Sequence, residues 1–392
     1  MPHYRYLIVG GATTADHAVQ GIRQVDPDGT IGLVSAEPHP PYNRVPLDKG
    51  LWKGKPYEKI FFPTAPREAE LHLGRAIVQL DPAARRALDD QGQEYTCEKL
   101  LLATGGTPRR LPFGGDSIVY FRTLDDYHWL RQKVERGGRF AVIGGGFIGS
   151  EVAALLAMRD QPVTMLFPEA AIGARLFPPD LADFLNRYYR QRNVEVLAGE
   201  LVGGAEPRGD QTVLKTKAGG EIVADHVIAG LGIRPNTELA EAAGLQVGDG
   251  VIVDEQLQAS LPDIYAAGDV ANFYNPALDR RQRVEHEDHA MSSGRVVGRN
   301  MAGDRVPYDH LPMFYSDLFD LGYEAVGDLD PSLETFADWQ EPYQKGVIYY
   351  LKDGRVRGAI LWNVWGKVEA ARQLIAEARA TSPADLKGRI AD

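Results

Sequence analysis

Between Phe140 and Leu156 the chain reads FAVIGGGFIGSEVAALL, a short apolar run that breaks into glycines and resumes as a helix-forming stretch. Few patterns restrict a fold more. Gly144, Gly146 and Gly149 have the spacing G-x-G-x-x-G. The first glycine permits a tight turn off a strand, the second lets the backbone approach a pyrophosphate, and the third allows close packing of strand and helix. The N-terminus of the helix then favours negative charge. The next apolar run, PVTMLFPE, ends on Glu169, 20 residues past Gly149. An acid at that distance accepts hydrogen bonds from a ribose 2′-hydroxyl, so this unit predicts NADH binding in preference to NADPH.

A second copy stands at the other end of the chain. YLIVGGATTADHAV, from Tyr6 to Val19, is again an apolar run, a glycine turn and a helix-like stretch to about Gln24, followed by the strand-like TIGLVSAE. The pattern here is Gly10, Gly11, Ala12 and Ala15; Ala12 replaces the second glycine and adds a methyl beside the pyrophosphate path. Two strand–helix–strand units imply parallel sheets with crossover helices. At 392 residues and 44% hydrophobic content the chain exceeds one ordinary core.

Two further apolar runs end in glycine and proline, KLLLATGGTPRRLP (Lys99 to Pro112) and DHVIAGLGIRPN (Asp225 to Asn236), as suits crossings between domains. Beyond Val306, GVIYYLKDGRVRGAILWNV reads as two strands around a tight turn at Lys352, Asp353 and Gly354. A helix follows in which Val368, Ala371, Leu374, Ile375 and Ala378 share a face. The expected fold is α/β: two Rossmann-like dinucleotide-binding domains, built from residues 1–110 with 236–305 and from 111–235, plus a small α+β domain over 306–392.

The formal net charge of -11 argues against general nucleic-acid or membrane-surface binding. No apolar run reaches the roughly 18–20 residues of a membrane span, and the first strand begins a few residues after Met1, so a cytoplasmic protein is expected. The single cysteine, Cys97, allows no disulfide within the chain and no relay between thiols. It reads as a structural residue at a strand edge.

The segments PYNRVPLDKGLW, LLATGGTPR, IGGGFIGSE, LFPE, RVEHEDHA and MFYSDL, in that order, resemble the FAD-dependent pyridine nucleotide oxidoreductases with two dinucleotide-binding domains. Within that group the chain resembles the bacterial ferredoxin and rubredoxin reductases and, most of all, the apoptosis-inducing-factor branch. The resemblance implies FAD in the first cradle and NADH in the second. It implies FAD contacts at Gly10, Gly11, Ala12, Ala15, Glu37, Arg44, Lys49, Ala103, Thr104, Gly105, Asp269, Glu285, His286 and Tyr315. It also implies nicotinamide-dinucleotide contacts at Gly144, Gly146, Phe147, Ile148, Gly149, Glu151, Glu169 and Gly232, and a Lys49–Glu151 ion pair as the catalytic couple at the flavin. Ala36 falls where that group has its flavin-side ribose acid, with Glu37 one residue later. Tyr315 matches an aromatic position near the flavin ring, and its neighbour Phe314 reads as core.

His286 and His289, at i and i+3, raise the question of a metal; the resemblance instead has VEHEDHA opening a helix aimed at the flavin, and no metal is expected. Two roles share all these motifs. One is a reductase feeding a small iron–sulfur carrier, docked at a basic face drawn from Arg109, Arg110, Arg280, Arg281 and Arg283. The other is a slowly turning redox sensor, monomeric or an NADH-linked homodimer.

Overall fold

The computed structural model describes residues 1–390. Its contacts divide the chain into two compact units, one from Met1–Asn43, Pro56–Thr107 and Arg234–Phe314, the other from Arg44–Lys55, Pro108–Ile233 and Tyr315 onward. The chain crosses between these units after Thr107, Ile233 and Phe314, and Arg44–Lys55 joins the second unit. The reason is local: Trp52 of that segment meets Tyr127 edge-on at 5.7 Å, and its carbonyl accepts from Arg159.

The first unit is built on a sheet in the order Ala69–Leu73, Ile31–Ser35, His3–Val9, Glu94–Leu102, Arg86–Asp89, Ile77–Asp81, with Ile264–Ala266 also paired to Glu94–Leu102. The strands from Ala69–Leu73 to Glu94–Leu102 run parallel; the last two form an antiparallel meander. All five residues of Ile31–Ser35 are buried, as a parallel strand covered on both faces requires. Helix Thr13–Val25 packs on helix Glu287–Met301 at very short range, since a Cβ added to Gly298 would lie 2.1 Å from the Ala18 carbonyl oxygen. Small residues on both helices thus allow one continuous core to form beneath them.

Cys97 lies in Glu94–Leu102, an interior strand rather than an edge, and is 6% exposed. Burial pushes its thiol up to about 12, which leaves it an inert packing group.

The second unit holds a fully parallel sheet, Val194–Ala198, Val163–Phe167, Phe140–Ile143, His226–Ala229, Ile118–Tyr120, with helix Phe147–Ala157 crossing between its central strands. A separate five-stranded sheet contains the hairpin Lys345–Lys352 and Arg355–Trp362. Asp353 and Gly354 form its turn at φ 52° and 69°, the conformation that Asp-Gly was expected to supply. The following helix spans Val368–Ala376 and buries Ala371, Leu374 and Ile375. Ala378 lies beyond its end, exposed and at φ 49°, because the helix stops one turn short of the apolar repeat. The expected class, two crossover units with an α+β tail, is the one observed.

Candidate functional site

The two cradles repeat one construction atom for atom along the backbone. In the first unit Gly10 donates to the Val34 carbonyl at 2.9 Å, and Ala103 donates to Val9 at 2.8 Å. In the second, Gly144 donates to Leu166 and Gly230 to Ile143, both at 2.9 Å. Gly10 and Gly144 have φ 129° and 117°, and a Cβ on either would lie 2.1 Å or 2.3 Å from a carbonyl oxygen of the neighbouring strand end. Only glycine fits both the conformation and the space.

Each helix then begins without a side-chain cap, from Ala12 in the first unit and Gly146 in the second. First-turn N–H groups left uncapped by side chains are what a pyrophosphate requires. A Cβ on Gly146 would meet nothing within 4 Å, so the backbone there faces open space, whereas Gly149 lies against the Gly144 carbonyl and could not carry one. Ala15, the third position of the first copy, is fully buried. Both cradles fit a dinucleotide; the methyl of Ala12 is the one difference at the approach.

The duplication also bears on Glu37. Past each second strand the chain makes the same hydrogen bond, Gly74 N–H to the Glu37 carbonyl at 3.0 Å and Gly199 N–H to the Glu169 carbonyl at 2.9 Å. Glu37 therefore holds the place in the first unit that Glu169 holds in the second. The carboxylate of Glu37 accepts from the Tyr42 hydroxyl at 2.6 Å; that of Glu169 pairs with Arg175 at 2.5 Å. The two acids stand at different spacings from their glycines because the first helix has 13 residues and the second 11.

Elsewhere in the first unit, Thr104 and Asn236 exchange side-chain and backbone hydrogen bonds at 2.8 and 2.9 Å, fixing the Ala103–Gly105 turn beside the cradle. Asp269 sits half-buried on the short turn Gly268–Val270, whose Gly268 N–H is held by Ser293 at 3.1 Å. His286 precedes helix Glu287–Met301 as its N-cap, so it shares no helix face with His289. Its ring stacks on Phe314 at 4.2 Å, and burial pushes its imidazole down to about 4. Phe314 is accordingly half-buried at this helix start and not a core residue.

His289 is fully buried, shares a hydrogen bond with the Tyr308 hydroxyl at 2.7 Å and stacks on Phe273. Those partners make it a packing histidine. Among the described residues no three His, Cys, Asp or Glu side chains are grouped as a metal site. Glu285 is exposed and pairs with Arg283 at 2.6 Å.

In the second unit Lys49 and Glu151, 102 residues apart in sequence, meet at 2.8 Å with side chains only 11% and 6% exposed. Glu151 projects from helix Phe147–Ala157 immediately after the glycine turn. The Lys49 ammonium stands 4.4 Å from the centre of the Tyr315 ring, within cation–π range. Ser316 donates to the same Glu151 oxygen that Lys49 contacts. Alternation along strand Met313–Leu318 puts Tyr315 outside and Ser316 inside.

Asp48, the chain neighbour of Lys49, is buried as well. Burial first, and then the charge of Glu151, hold the Asp48 carboxyl well above the usual carboxylate range. For Lys49 burial alone would lower the ammonium, but Glu151 and Asp48 outweigh it and keep it above its ordinary value. Sequence reasoning passed over Asp48 and Ser316, although each is the immediate neighbour of a residue singled out.

Arg44 donates to the Arg122 carbonyl at 3.2 Å, Phe147 is 41% exposed at the first helical position, and Ile148 packs near Gly230. Gly232 turns at φ 74° and accepts from the Arg109 N–H. Of the arginines considered for docking, Arg283 has a side chain 8% exposed, paired to Asp249 and Glu285, and so offers no docking charge. Arg281 is exposed yet bonds the Val253 and Asn272 carbonyls, and Arg280 is exposed beside Gln282. Arg109 and Arg110 belong to the other unit.

Two glycine cradles of one construction fit the cofactors FAD and NAD(H), and the chain is an NAD(P)H-dependent FAD oxidoreductase. Residues 4–294 match the profile of the pyridine nucleotide-disulphide oxidoreductases, and residues 297–342 and 337–377 match the C-terminal domain described as apoptosis-inducing factor, mitochondrion-associated. The chain belongs to the pyridine nucleotide-disulphide oxidoreductase family. It is 33% identical to apoptosis-inducing factor 1, mitochondrial, of Dictyostelium discoideum, covering 96% of this chain and 79% of that one. It is 35% identical to the 5,5'-dehydrodivanillate O-demethylase ferredoxin reductase subunit of Sphingobium sp. SYK-6, covering 91% and 89%. Among solved structures, the covalent putidaredoxin reductase–putidaredoxin complex contains a chain that superposes with a TM-score of 0.91 at 30% identity, over 98% of this chain and 95% of that one.

Proposed function

We propose that this protein oxidises NADH at FAD and passes the electrons singly to a small iron–sulfur protein. The observation that carries the reading is the doubled cradle with Glu37 and Glu169 in equivalent places, since an acid beside each ribose is the arrangement that accepts unphosphorylated 2′-hydroxyls. The first unit is then the FAD-binding domain and residues 108–233 the NAD-binding domain, with Tyr315 onward as the C-terminal domain. When bound, FAD accepts a hydride and releases electrons one at a time.

The chain's own contribution is position and charge. Each helix N-terminus holds a pyrophosphate, Glu37 and Glu169 fix the ribose ends, and the Lys49–Glu151 pair orients the reacting ring and stabilises charge beside it. Thiol chemistry does not enter, because Cys97 is the only cysteine and is buried. The ferredoxin reductase named among its relatives, and the putidaredoxin partner in the matched complex, support an iron–sulfur acceptor. A second reading is favoured by the match of residues 297–377 to the apoptosis-inducing-factor C-terminal domain: slow reduction, a long-lived reduced state and NADH-linked dimerisation.

Anaerobic stopped-flow mixing of the flavoprotein with NADH separates the two. Reduction at tens per second or faster, with prompt reoxidation by a ferredoxin or rubredoxin, is expected for the reductase. Slow reduction with a persistent long-wavelength charge-transfer band, and a mass increase on NADH addition by light scattering, would replace it with the sensor.

A further inference from the structure

Three consecutive residues of strand Met313–Leu318 grip the Lys49–Glu151 pair and its segment, and all the groups involved belong to the second unit. Tyr315 sets its ring 4.4 Å from the Lys49 ammonium, which also donates to the Tyr315 carbonyl at 3.4 Å. Asp317 pairs with Lys53, further along the Lys49 segment, at 2.8 Å. Between them Ser316, 1% exposed, donates its hydroxyl to Oε1 of Glu151, the oxygen that Lys49 meets at 2.8 Å.

The turn that follows fixes this strand in place. Phe319 stands there at φ 63°, a left-handed conformation that a bulky residue keeps only where its surroundings impose it. Its ring meets Tyr188 at 5.8 Å and Tyr189 at 5.0 Å, both edge-on, from helix Pro179–Arg190. The Arg192 guanidinium lies 5.4 Å from the centre of the same ring and pairs with Asp320 at 2.6 Å; Tyr188 donates to that carboxylate oxygen too. Tyr189 in turn donates to the Ser150 carbonyl at 3.1 Å, on the residue before Glu151. One helix thus steadies both the Glu151 backbone and the turn behind Ser316.

An ion pair by itself orients a flexible carboxylate poorly, because Coulomb attraction depends on distance, whereas a hydrogen bond also demands an angle. We propose that Ser316 is a positioning residue: its hydroxyl fixes the Glu151 carboxylate, so that Lys49 is held at one place rather than anywhere within reach of the charge. Removing the hydroxyl leaves both charges of the pair and takes away their orientation. The consequence for flavin reduction rests on the proposed function; the fixing of Glu151 does not.

Anaerobic stopped-flow reduction of the flavin-loaded protein over a range of NADH concentrations tests this, since it separates the limiting rate from the dissociation constant. Ser316→Ala is expected to lower the limiting rate about tenfold, as for a misplaced reacting group. The dissociation constant for NADH is expected to change by less than about twofold, a split that a general loss of structure would not give. Ser316→Thr, which restores the hydroxyl on a side chain suited to a strand, is expected to recover most of the rate. In a Lys49→Met background S316A is expected to add less than about twofold, because both act through the same pair. Losses that multiply in the double variant would overturn the proposal, as would an S316T as slow as S316A at the wild-type melting temperature. Fast wild-type reduction matched by S316A would remove the positioning role and leave the reductase reading intact. Slow wild-type reduction, slowed further by S316A but not by S316A in the Lys49→Met background, would keep the positioning role and remove the reductase.

Discussion

Lys49 shows how burial turns an ordinary side chain into a committed one. Its partner Glu151 is 6% exposed in its side chain, so Lys49→Met leaves a buried carboxylate with no cation. Breaking such a pair costs about 3–5 kcal/mol, within the 5–15 kcal/mol that holds a typical fold. Lys49→Met is therefore expected to stay folded, with a lower melting temperature, and to slow flavin reduction on the order of tenfold or more; an unchanged reduction rate in the stopped-flow instrument would count against the role. His289 gives a pH prediction. Burial holds its imidazole down to about 4, below the unfolded value near 6.5. The unfolded chain therefore takes up a proton first as pH falls. Stability is fully present above pH about 6.5 and declines towards pH 4, by at most about 3 kcal/mol from this residue. His289→Gln, which keeps a polar partner for Tyr308, is expected to flatten that acid limb in thermal melts.

At the scale of elements, the glycine turns separate binding from folding. A methyl on Gly146 enters open space, so Gly146→Ala is expected to leave the melting temperature nearly unchanged while weakening NADH binding in a titration. Gly149→Ala puts its methyl 2.0 Å from the Gly144 carbonyl oxygen and is expected to destabilise the domain itself, by about 1–3 kcal/mol. Similar effects of the two on stability would sink the assignment of distinct roles. The acid after the second strand offers another test. Glu169 already pairs with Arg175, an arginine 85% exposed in its side chain. Removing the acid in Glu169→Ala leaves a cation suited to a 2′-phosphate. NADPH is expected to gain on NADH by about tenfold or more in kcat/KM, a shift of ~1.4 kcal/mol or more.

For the whole molecule, the acidic chain needs a local positive surface if its electron acceptor is acidic. The structure narrows the candidates: Arg283 is committed to Asp249 and Glu285, and Arg281 to backbone carbonyls, while Arg280 is exposed and bonded to Gln282. Arg280→Glu is expected to raise KM for an iron–sulfur carrier while leaving reduction by NADH unchanged; carrier kinetics identical to wild type would move the docking site elsewhere. The doubled units, their glycine turns, the Asp353–Gly354 hairpin and the partners Lys49 and Glu151 were all legible in the sequence. Turn chemistry and crossover packing are local demands that residues at fixed spacing reveal, and the family motifs carried the one long-range pairing. The equivalence of Glu37 with Glu169, the stacking of His286 on Phe314, the commitment of Arg283 and the place of Asp48 were not legible. Each depends on two extra helical residues or on neighbours far along the chain, so only three-dimensional packing decides which groups lose water and which partners replace it. The sequence by itself determined the two cradles, because the first residue of each turn, Gly10 or Gly144, has no room for a side chain against the neighbouring strand end. Only the tertiary structure decided which buried charges stand together, because the energy of a charge is set by its surroundings and not by its position in the chain.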